Sequence, residues 1–326
     1  MQQIQNVIIN KLKTALPGNQ TVVSALSQLL GISQDATYRR LRGDSAFSID
    51  EIALICRHFR ISFDECNNMN SESVSFTYKS LNSAEDLHTY LLGISREMKA
   101  LAGTENPEIH YAAVDIPIFY HFGFENVSAF KIFYWLHSVM NTREFEMKQY
   151  DKTLIPKELM KTGQEIYDSY CEVKSVEIWS DSTMNSMIKQ IEFYWESGMF
   201  NSKEDALDIC NDFELQLKTI LKMAETSSKK ISQDQQNFIL YFSDIEIGNN
   251  CIQSKIGNLV TTYLSHHTFN SLTAYNQKFN EETTRWMENL KKKSSLLSGV
   301  GHKQRFQFFN RAMRKINALK AVIVNE

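Results

Sequence analysis

The stretch from Val23 to Cys66 reads VSALSQLLGISQDATYRRLRGDSAFSIDEIALICRHFRISFDEC, and it carries the strongest local structural signals in the chain. A predicted helix with three leucines on one face ends at Gly31, because glycine accepts the left-handed backbone that closes a helix. Ser33 has the side chain of an N-cap residue. Together these signals predict a second helix from Gln34 to Arg42, which stops at Gly43.

A further helix follows the arginine-bearing segment. Ser48 is its predicted N-cap, and Glu51 three residues later completes a capping box, in which each side chain accepts from the backbone of the other residue. The predicted apolar face of this helix consists of Ile49, Ile52, Ala53, Ile55, Cys56 and Phe59. Upstream, the N-terminal residues form an amphipathic first helix, which the pair Pro17-Gly18 is predicted to end.

Two short helices joined by a glycine turn, the second of them rich in arginine, form the pattern of a helix-turn-helix. The order of helix, Gly-Ile-Ser turn, arginine-bearing helix, Arg-Gly pair and further helix resembles the phage-repressor (XRE-like) class, over about the first fifth of the chain. The resemblance implies a bacterial-type DNA-binding transcriptional regulator. Thr37 stands where that class usually has Ile or Val, and Arg40 where it usually buries a second aliphatic residue, so we expect Leu41 to serve as the anchor.

Three arginines of the predicted recognition helix, Arg39, Arg40 and Arg42, are candidate DNA contacts. A guanidinium group can bind a guanine edge through two hydrogen bonds, and it can also pair with a phosphate. The alternative is a solvated charged face, and the helix-turn-helix context favours the DNA contacts.

Four further residues are predicted to lie at the DNA interface: Thr21, Gln34, Asp35 and Tyr38. Gln34 is placed to reach an adenine edge, and Tyr38 to touch a thymine methyl group or a phosphate. Asp35 either accepts from a cytosine amino group or only stabilises the helix N-terminus, and we favour the second. Thr21 caps the helix that precedes the recognition helix and presents its backbone amides to a phosphate.

The positive charge of residues 1–66 is concentrated in one predicted helix. The formal net charge is −3 over 326 residues, yet residues 1–66 hold seven Lys/Arg against six Asp/Glu, and three of those seven lie in helix 34–42. This distribution excludes a generic polyanion binder and suits a protein that reads one groove. Five cysteines without a C-x-x-C pair, and no signal-peptide pattern, predict a reduced, cytoplasmic protein. No apolar run approaches the ~20 residues that span a bilayer.

The chain after residue 66 differs in its sequence pattern from residues 1–66. Residues 67–74 are polar and without periodicity, and they are predicted to be a linker between a four- to five-helix domain at 1–66 and a larger domain at 75–326. The larger domain is predicted to be a helix-rich α+β fold with a small antiparallel sheet, which makes the whole chain mainly α. Residues 238–247, 251–255 and 259–264 have the pattern of a hairpin or a meander, and long helices are predicted over residues 271–293 and 303–324.

No catalytic constellation is recognisable in the second region. His266 and His267 are adjacent in a strand-like segment, so their rings are expected on opposite faces, and the chain has no H-E-x-x-H motif, nucleophile elbow or dinucleotide fingerprint. We therefore expect no metal site, no cofactor and no enzyme activity. The aromatic run from Tyr111 to Met147 is either ordinary core, which we favour, or the lining of a ligand pocket.

These observations predict a DNA-binding transcriptional regulator whose helix 34–42 enters the major groove of double-stranded DNA. One such module reads about half a turn of duplex, so we expect a homodimer and a palindromic site. Region 75–326 would dimerise the protein and sense a small-molecule or protein effector. The alternative is that this region is an enzyme or a protein-interaction platform that the first domain tethers to DNA.

Overall fold

The structure, a computed structural model, describes residues 2–15, 21–59, 61, 63, 66, 73–230, 236–257 and 259–326. The chain divides into two compact units, which are Met1–Phe76 (unit 1) and Thr77–Glu326 (unit 2). Residues 67–72 of the predicted linker lie outside the described residues, and so does the predicted helix end at Pro17-Gly18.

The described part of unit 1 contains four helices around a small apolar core. The helices are α1 (Gln2–Ala15), α2 (Val22–Leu30), α3 (Gln34–Arg42) and α4 (Ile49–Phe59). The buried residues of the core are Ile8, Ile9, Leu12, Leu26, Phe47, Ile55, Ile61 and Cys66. Each helix contributes at least one partly or fully buried side chain to this cluster, since Leu41 of α3 also packs against it.

The helix ends in unit 1 confirm the predicted capping signals. Gly31 and Gly43 close α2 and α3 with φ angles of 64° and 84°, in the left-handed region that glycine tolerates. The Ser33 hydroxyl accepts a hydrogen bond from the amide of Ala36 at 3.2 Å. The capping box of α4 is also present, because the amide of Ser48 donates to Glu51 at 2.8 Å and the amide of Glu51 donates to Ser48 at 3.1 Å.

The apolar face of α4 was predicted too broadly. Ile49 is 85% exposed and Ala53 is also exposed, whereas Ile55 is fully buried and Phe59 packs against the core. Positions 52, 55, 56 and 59 form one helical face, and positions 49 and 53 lie to one side of it. Ile49 and Ala53 therefore face solvent within unit 1.

Unit 2 contains a mixed sheet and eight of the twelve α-helices found among the described residues. Its helices are α5 (Ala84–Ala102), α6 (Ile118–His121), α7 (Glu125–Tyr134), α8 (Lys157–Glu172), α9 (Asn185–Glu196), α10 (Lys203–Thr226), α11 (Gln277–Lys292) and α12 (His302–Asn325). A π-helical turn at Trp135–Val139 extends α7, and a short 3-10 helix lies at Lys152–Leu154. Helices thus predominate, in agreement with the predicted mainly α character.

Among the described residues, the sheet has seven strands in the order β6-β5-β4-β1-β2-β3-β7. The strands are β1 (Glu108–Ala113), β2 (Lys174–Trp179), β3 (Phe238–Phe242), β4 (Cys251–Ile256), β5 (Leu259–His266), β6 (Asn270–Ala274) and β7 (Ser295–Leu296). Strands β1, β2 and β3 are parallel, and the remaining pairs are antiparallel. The prediction of a small antiparallel sheet is therefore only partly right.

Two errors explain this difference. The β4–β5 hairpin was predicted correctly, but β3 pairs in parallel with β2, more than fifty residues upstream, and not with β4. The helix predicted from residue 271 is wrong at its start, because Asn270–Ala274 forms strand β6 on β5. The helix begins only at Gln277, where the Asn276 side chain accepts from the amide of Phe279 at 3.0 Å.

The central strands separate two apolar clusters. Ile109, Tyr111 and Ala113 of β1 belong to the large core, which helices α5 to α10 and α12 share. On the opposite face, Ala112 and Ile178 pack with Met287 and Leu290 of α11 in a smaller cluster. The chain therefore covers both faces of the parallel strands with helix, as a parallel sheet requires.

Candidate nucleic-acid interface

Helix α3 presents one continuous polar face to solvent. This face consists of Gln34, Asp35, Tyr38, Arg39 and Arg42, and all five residues are exposed. At about 100° per residue these positions span an arc of roughly 140°. Within the described residues, the side chains of Gln34, Tyr38 and Arg39 form no hydrogen bond or ion pair, so their polar groups are available to a partner.

The opposite side of α3 packs against the core of unit 1. Thr37 is fully buried, and its hydroxyl donates to the carbonyl of Ser33 at 3.0 Å, which satisfies the buried oxygen. Leu41, one turn further, packs against the core as expected. Thr37 thus occupies a buried position without an unpaired polar group, because its hydroxyl bonds to the backbone of its own helix.

Arg40 differs from the other arginines of α3. Its guanidinium donates to both carboxylate oxygens of Glu51, at 2.7 Å and 3.3 Å, and the side chains of both residues are about four-fifths buried. The guanidinium also lies 5.9 Å from the ring centroid of Phe47. The structure therefore joins Arg40 to the N-terminus of α4, where the same Glu51 completes the capping box.

A second polar contact, from α1, supports the same region. Gln5 is 7% exposed, and its amide nitrogen donates to the carbonyls of Arg40 at 2.8 Å and Ser45 at 3.1 Å. Its amide oxygen accepts from the backbone amide of Phe47 at 3.0 Å. Sequence reasoning missed Gln5 and the Arg40–Glu51 pair. The one available signal was an arginine at a position where an aliphatic residue is usual.

The remaining predicted contacts lie at or near the helix ends. Thr21 caps α2, because its hydroxyl accepts from the amide of Ser24 at 3.2 Å, and it is exposed. Arg42 is paired with Asp44 at 3.2 Å, but both side chains are more than half exposed. A pair so exposed contributes little and exchanges readily with solvent. Asp35 lies in the first turn of α3, where a carboxylate stabilises the helix N-terminus.

Unit 2 contains a buried ionic cluster that sequence reasoning did not find. The fully buried carboxylate of Glu177 accepts hydrogen bonds from Tyr120, Tyr170, Ser175 and Trp179 at 2.6–2.9 Å. Lys229, also buried, donates to the carbonyls of Tyr170 and Val173 and lies 3.4 Å from the Tyr170 ring centroid. Burial lowers the pKa of Lys229 to about 8 and raises the pKa of Tyr170. Both oxygens of Glu177 are already occupied, so this cluster organises the core.

The two adjacent histidines do not lie on opposite faces as predicted. The rings of His266 and His267 stack with their centroids 3.8 Å apart, because the strand ends at His266 and His267 has a φ angle of 47°. Among the described residues, no group of three or more His, Cys, Asp or Glu side chains is placed to hold a metal ion.

The basic last helix contacts acidic and amide side chains of unit 2. Arg311 pairs with Asp181 at 3.0 Å, Lys315 donates to Asn185 at 2.6 Å, and Lys320 pairs with Glu214. None of the helices in the described part of the chain is long and apolar enough to cross a membrane.

The four described helices of unit 1, with the exposed polar face of α3, have the arrangement of a helix-turn-helix-type DNA-binding domain. Residues 4–75 match the family model of the BetR domain, which is a DNA-binding domain of this type. The match covers unit 1 almost completely and stops before unit 2. Neither a curated protein nor a solved structure matches the chain.

Proposed function

We propose that this protein is a bacterial-type transcriptional regulator of the phage-repressor (XRE-like) kind, which acts in the cytoplasm and reads duplex DNA with α3 in the major groove. The observation that carries the proposal is the exposed face of α3, where Gln34, Tyr38 and Arg39 have no partner within the described residues. An unpaired glutamine and arginine on one helical face supply the donors and acceptors that base edges require.

Within this proposal the seven predicted residues take different roles. Gln34, Tyr38, Arg39 and Arg42 face the DNA, and Thr21 directs the N-terminus of α2 at a phosphate. Asp35 stabilises the N-terminus of α3 and makes no base contact. Arg40 acts as a positioning residue, because its guanidinium is held by Glu51 and the carbonyl of Arg40 is held by Gln5.

The proposal also includes a homodimer, a palindromic site and an effector that unit 2 senses. One recognition helix covers about half a turn of duplex, and two copies related by a twofold axis would read two half-sites. An effector that changes the DNA affinity must bind the two states of the protein with different affinities, typically by ~1–3 kcal/mol. The proposal assigns no catalytic role to unit 2.

The test begins with selection of a binding site from a randomised duplex pool by the full-length protein, followed by gel-shift titration of the selected duplex. We expect Arg39→Ala and Arg42→Ala each to weaken binding by ~1–3 kcal/mol, because each removes a charged contact to a base edge or a phosphate. The double variant should lose its preference for the selected site over a scrambled duplex.

Arg143→Ala provides the matched control, because Arg143 is exposed in unit 2 and forms no ion pair within the described residues. It removes the same charge, so it corrects for the change in net charge, and its binding should equal that of the wild type. Site-specific binding that survives in the Arg39→Ala/Arg42→Ala double variant would overturn the assignment of α3.

A further inference from the structure

Unit 2 contains an open cleft of about 630 Å³ at the carboxyl ends of β1 and β2. Asp115 follows β1, and Asn185 begins the helix after β2. Asn250 also lines the cleft. Its side-chain oxygen accepts from the amide of Val114 at 2.8 Å and from the amide of Asp115 at 3.3 Å. Clefts at this edge of a sheet with parallel strands commonly bind small ligands, since loops from several strands converge there.

Asp115 lies at the inner wall of the cleft with one carboxylate oxygen unsatisfied. Its Oδ2 atom is 3.6 Å from the Nζ of Lys131, whose side chain is 2% exposed. Its Oδ1 atom is buried and has no hydrogen-bond donor in the described part of the chain. Lys131 also donates to Gln190, another lining residue, at 2.9 Å. The negative charge of Asp115 is thus balanced by Lys131, while Oδ1 keeps the capacity to accept a neutral donor such as a hydroxyl group.

The lining of the cleft also contains a positive charge that has no partner in the part of the chain that the structure describes. Lys189 lines the cleft, is exposed, and forms no ion pair within the described residues. Lys315 does not line the cleft, but its ammonium group donates to the side-chain oxygen of Asn185 at 2.6 Å. Because the Asp115 carboxylate is already paired with Lys131, the ammonium group of Lys189 is uncompensated among the described residues of the cleft. A ligand that matches this charge carries an anionic group at the Lys189 end.

Neutral hydrogen-bonding groups make up much of the remaining lining. Asn185 and Asn250 each have a side-chain NH₂ group without a protein acceptor among the described residues, and Thr268 adds a hydroxyl group. A ligand hydroxyl both donates and accepts, so it can bond to an amide NH₂ and to the free oxygen of Asp115. A simple aliphatic anion would leave these amide and carboxylate groups without hydrogen-bond partners.

We propose that this cleft binds a small organic anion rich in hydroxyl groups, of the sugar-acid or sugar-phosphate kind. The anionic group pairs with Lys189, and the hydroxyl groups bond to Asp115 and the cleft amides. The inference deepens the effector role that the proposed function gives to unit 2, and every lining residue lies within unit 2. It is tested without DNA, so its failure and the failure of the DNA-binding assignment can be told apart.

The test is calorimetric titration of the full-length protein with D-gluconate, D-glucuronate and D-glucose 6-phosphate. Each anion has a matched neutral compound, which is D-sorbitol for the first and D-glucose for the other two. We expect at least one anion to bind roughly tenfold more tightly than its neutral match, as a charge-assisted hydrogen bond provides. The two kinds of anion distinguish a carboxylate from a phosphate ligand.

Lys189→Gln should reduce the affinity for the binding anion roughly tenfold and leave the affinity for the neutral match unchanged. Lys157→Gln is the matched control, because Lys157 is exposed on α8 outside the cleft, and it should behave as the wild type. Acetate and inorganic phosphate test the hydroxyl requirement. The proposal is overturned if no anion exceeds its neutral match, if Lys189→Gln binds as the wild type does, or if the hydroxyl-free anions bind equally well.

Discussion

Arg40 shows how a charged side chain can take an aliphatic position in a small domain. Its guanidinium forms two hydrogen bonds to Glu51 and lies beside Phe47. The partly buried positive charge is therefore paired with a carboxylate. Replacing one residue of such a partly buried ion pair leaves the charge of the other residue uncompensated. The sequence pattern favours Arg40 as a DNA contact, whereas its guanidinium has a partner inside unit 1.

A double-mutant cycle on DNA affinity separates these two roles. If Arg40 positions α3 through Glu51, then Arg40→Ala and Glu51→Ala should each weaken binding, and the double variant should be little worse than either. The expected coupling is about 0.5–3 kcal/mol, measured by gel-shift titration. The exposed pair Arg42 and Asp44 is the control cycle, with an expected coupling below about 1 kcal/mol. Additive effects of Arg40→Ala and Glu51→Ala would return Arg40 to the DNA contacts.

His121 is a second residue whose environment decides its behaviour. It is fully buried, its Nδ1 atom lies 3.3 Å from the side-chain oxygen of Gln216, and its Nε2 atom has no hydrogen-bond partner among the residues that the structure describes. Burial, and secondarily the positive charge of Lys131, lower the pKa of His121 to about 3. The native state therefore holds His121 neutral at a pH where the unfolded chain protonates it.

The stability of unit 2 should consequently fall with pH in acid solution. Between an unfolded pKa near ~6.5 and the folded pKa, the unfolded state binds one more proton, so the free energy of unfolding decreases by about 1.4 kcal/mol per pH unit as the pH falls. Urea titrations followed by tryptophan fluorescence measure unit 2 selectively, since all four tryptophans lie there. His121→Gln should lose this part of the pH dependence, and identical slopes for the two proteins would contradict the expectation.

At the scale of elements, the turn between β7 and α12 is shaped by close backbone contact. Arg305 is 4% exposed, and its guanidinium donates to the carbonyls of Leu297 at 2.7 Å and Gly299 at 2.9 Å. A Cβ atom at Gly301 would lie 2.0 Å from the carbonyl oxygen of Leu296. The φ angle of Gly301 is −73°, so glycine is required here by space and not by backbone conformation.

Gly301→Ala should therefore destabilise unit 2 by roughly 1–3 kcal/mol, the usual cost of forcing an extra carbon atom into a packed site. Gly103→Ala is the control, because its Cβ atom would meet its nearest neighbour at an ordinary 3.5 Å and the residue has a φ angle of −80°. Urea titration by tryptophan fluorescence compares the two variants. Equal stability of the two would show that the β7–α12 turn shifts easily.

At the scale of the whole molecule, the proposed function requires two copies. A single α3 offers one exposed face of five residues, which is too little surface for tight site-specific binding. Acidic residues outnumber basic ones in the chain as a whole, so general attraction to DNA cannot replace a second reading helix.

Light scattering after size exclusion should accordingly give a mass twice the 37.7 kDa of one chain. The duplex selected from a random pool should be an inverted repeat, with half-site centres separated by about 10 base pairs or a multiple of that spacing. A monomeric protein that selects an asymmetric site would contradict both expectations, while the role of α3 would stand on its own variants.

Local signals in the sequence were sufficient for the helices of unit 1. Gly31, Ser33, Gly43 and the Ser48–Glu51 capping box act within a few residues of themselves, so their effect follows from spacing alone. Leu41 also packs against the core, as expected from the resemblance to the phage-repressor class, in which Arg40 stands at the usual aliphatic position. Local signals were also sufficient in unit 2 for the β4–β5 hairpin, whose strands are joined by a short turn.

Contacts between distant residues are set by the folded chain and not by local sequence. Strands β2 and β3 pair in parallel, Gln5 donates to the carbonyl of Arg40, and Tyr120 donates to Glu177. Each of these contacts joins residues that are far apart in the chain. The cleft beside Asp115 likewise combines loops from several separate segments. The capped helices and the exposed Arg39 and Arg42 follow from the sequence, because short-range hydrogen bonds and helical periodicity set them. Which residues contact each other over long distances in the chain depends on tertiary packing. Short-range sequence patterns carry no information about that packing.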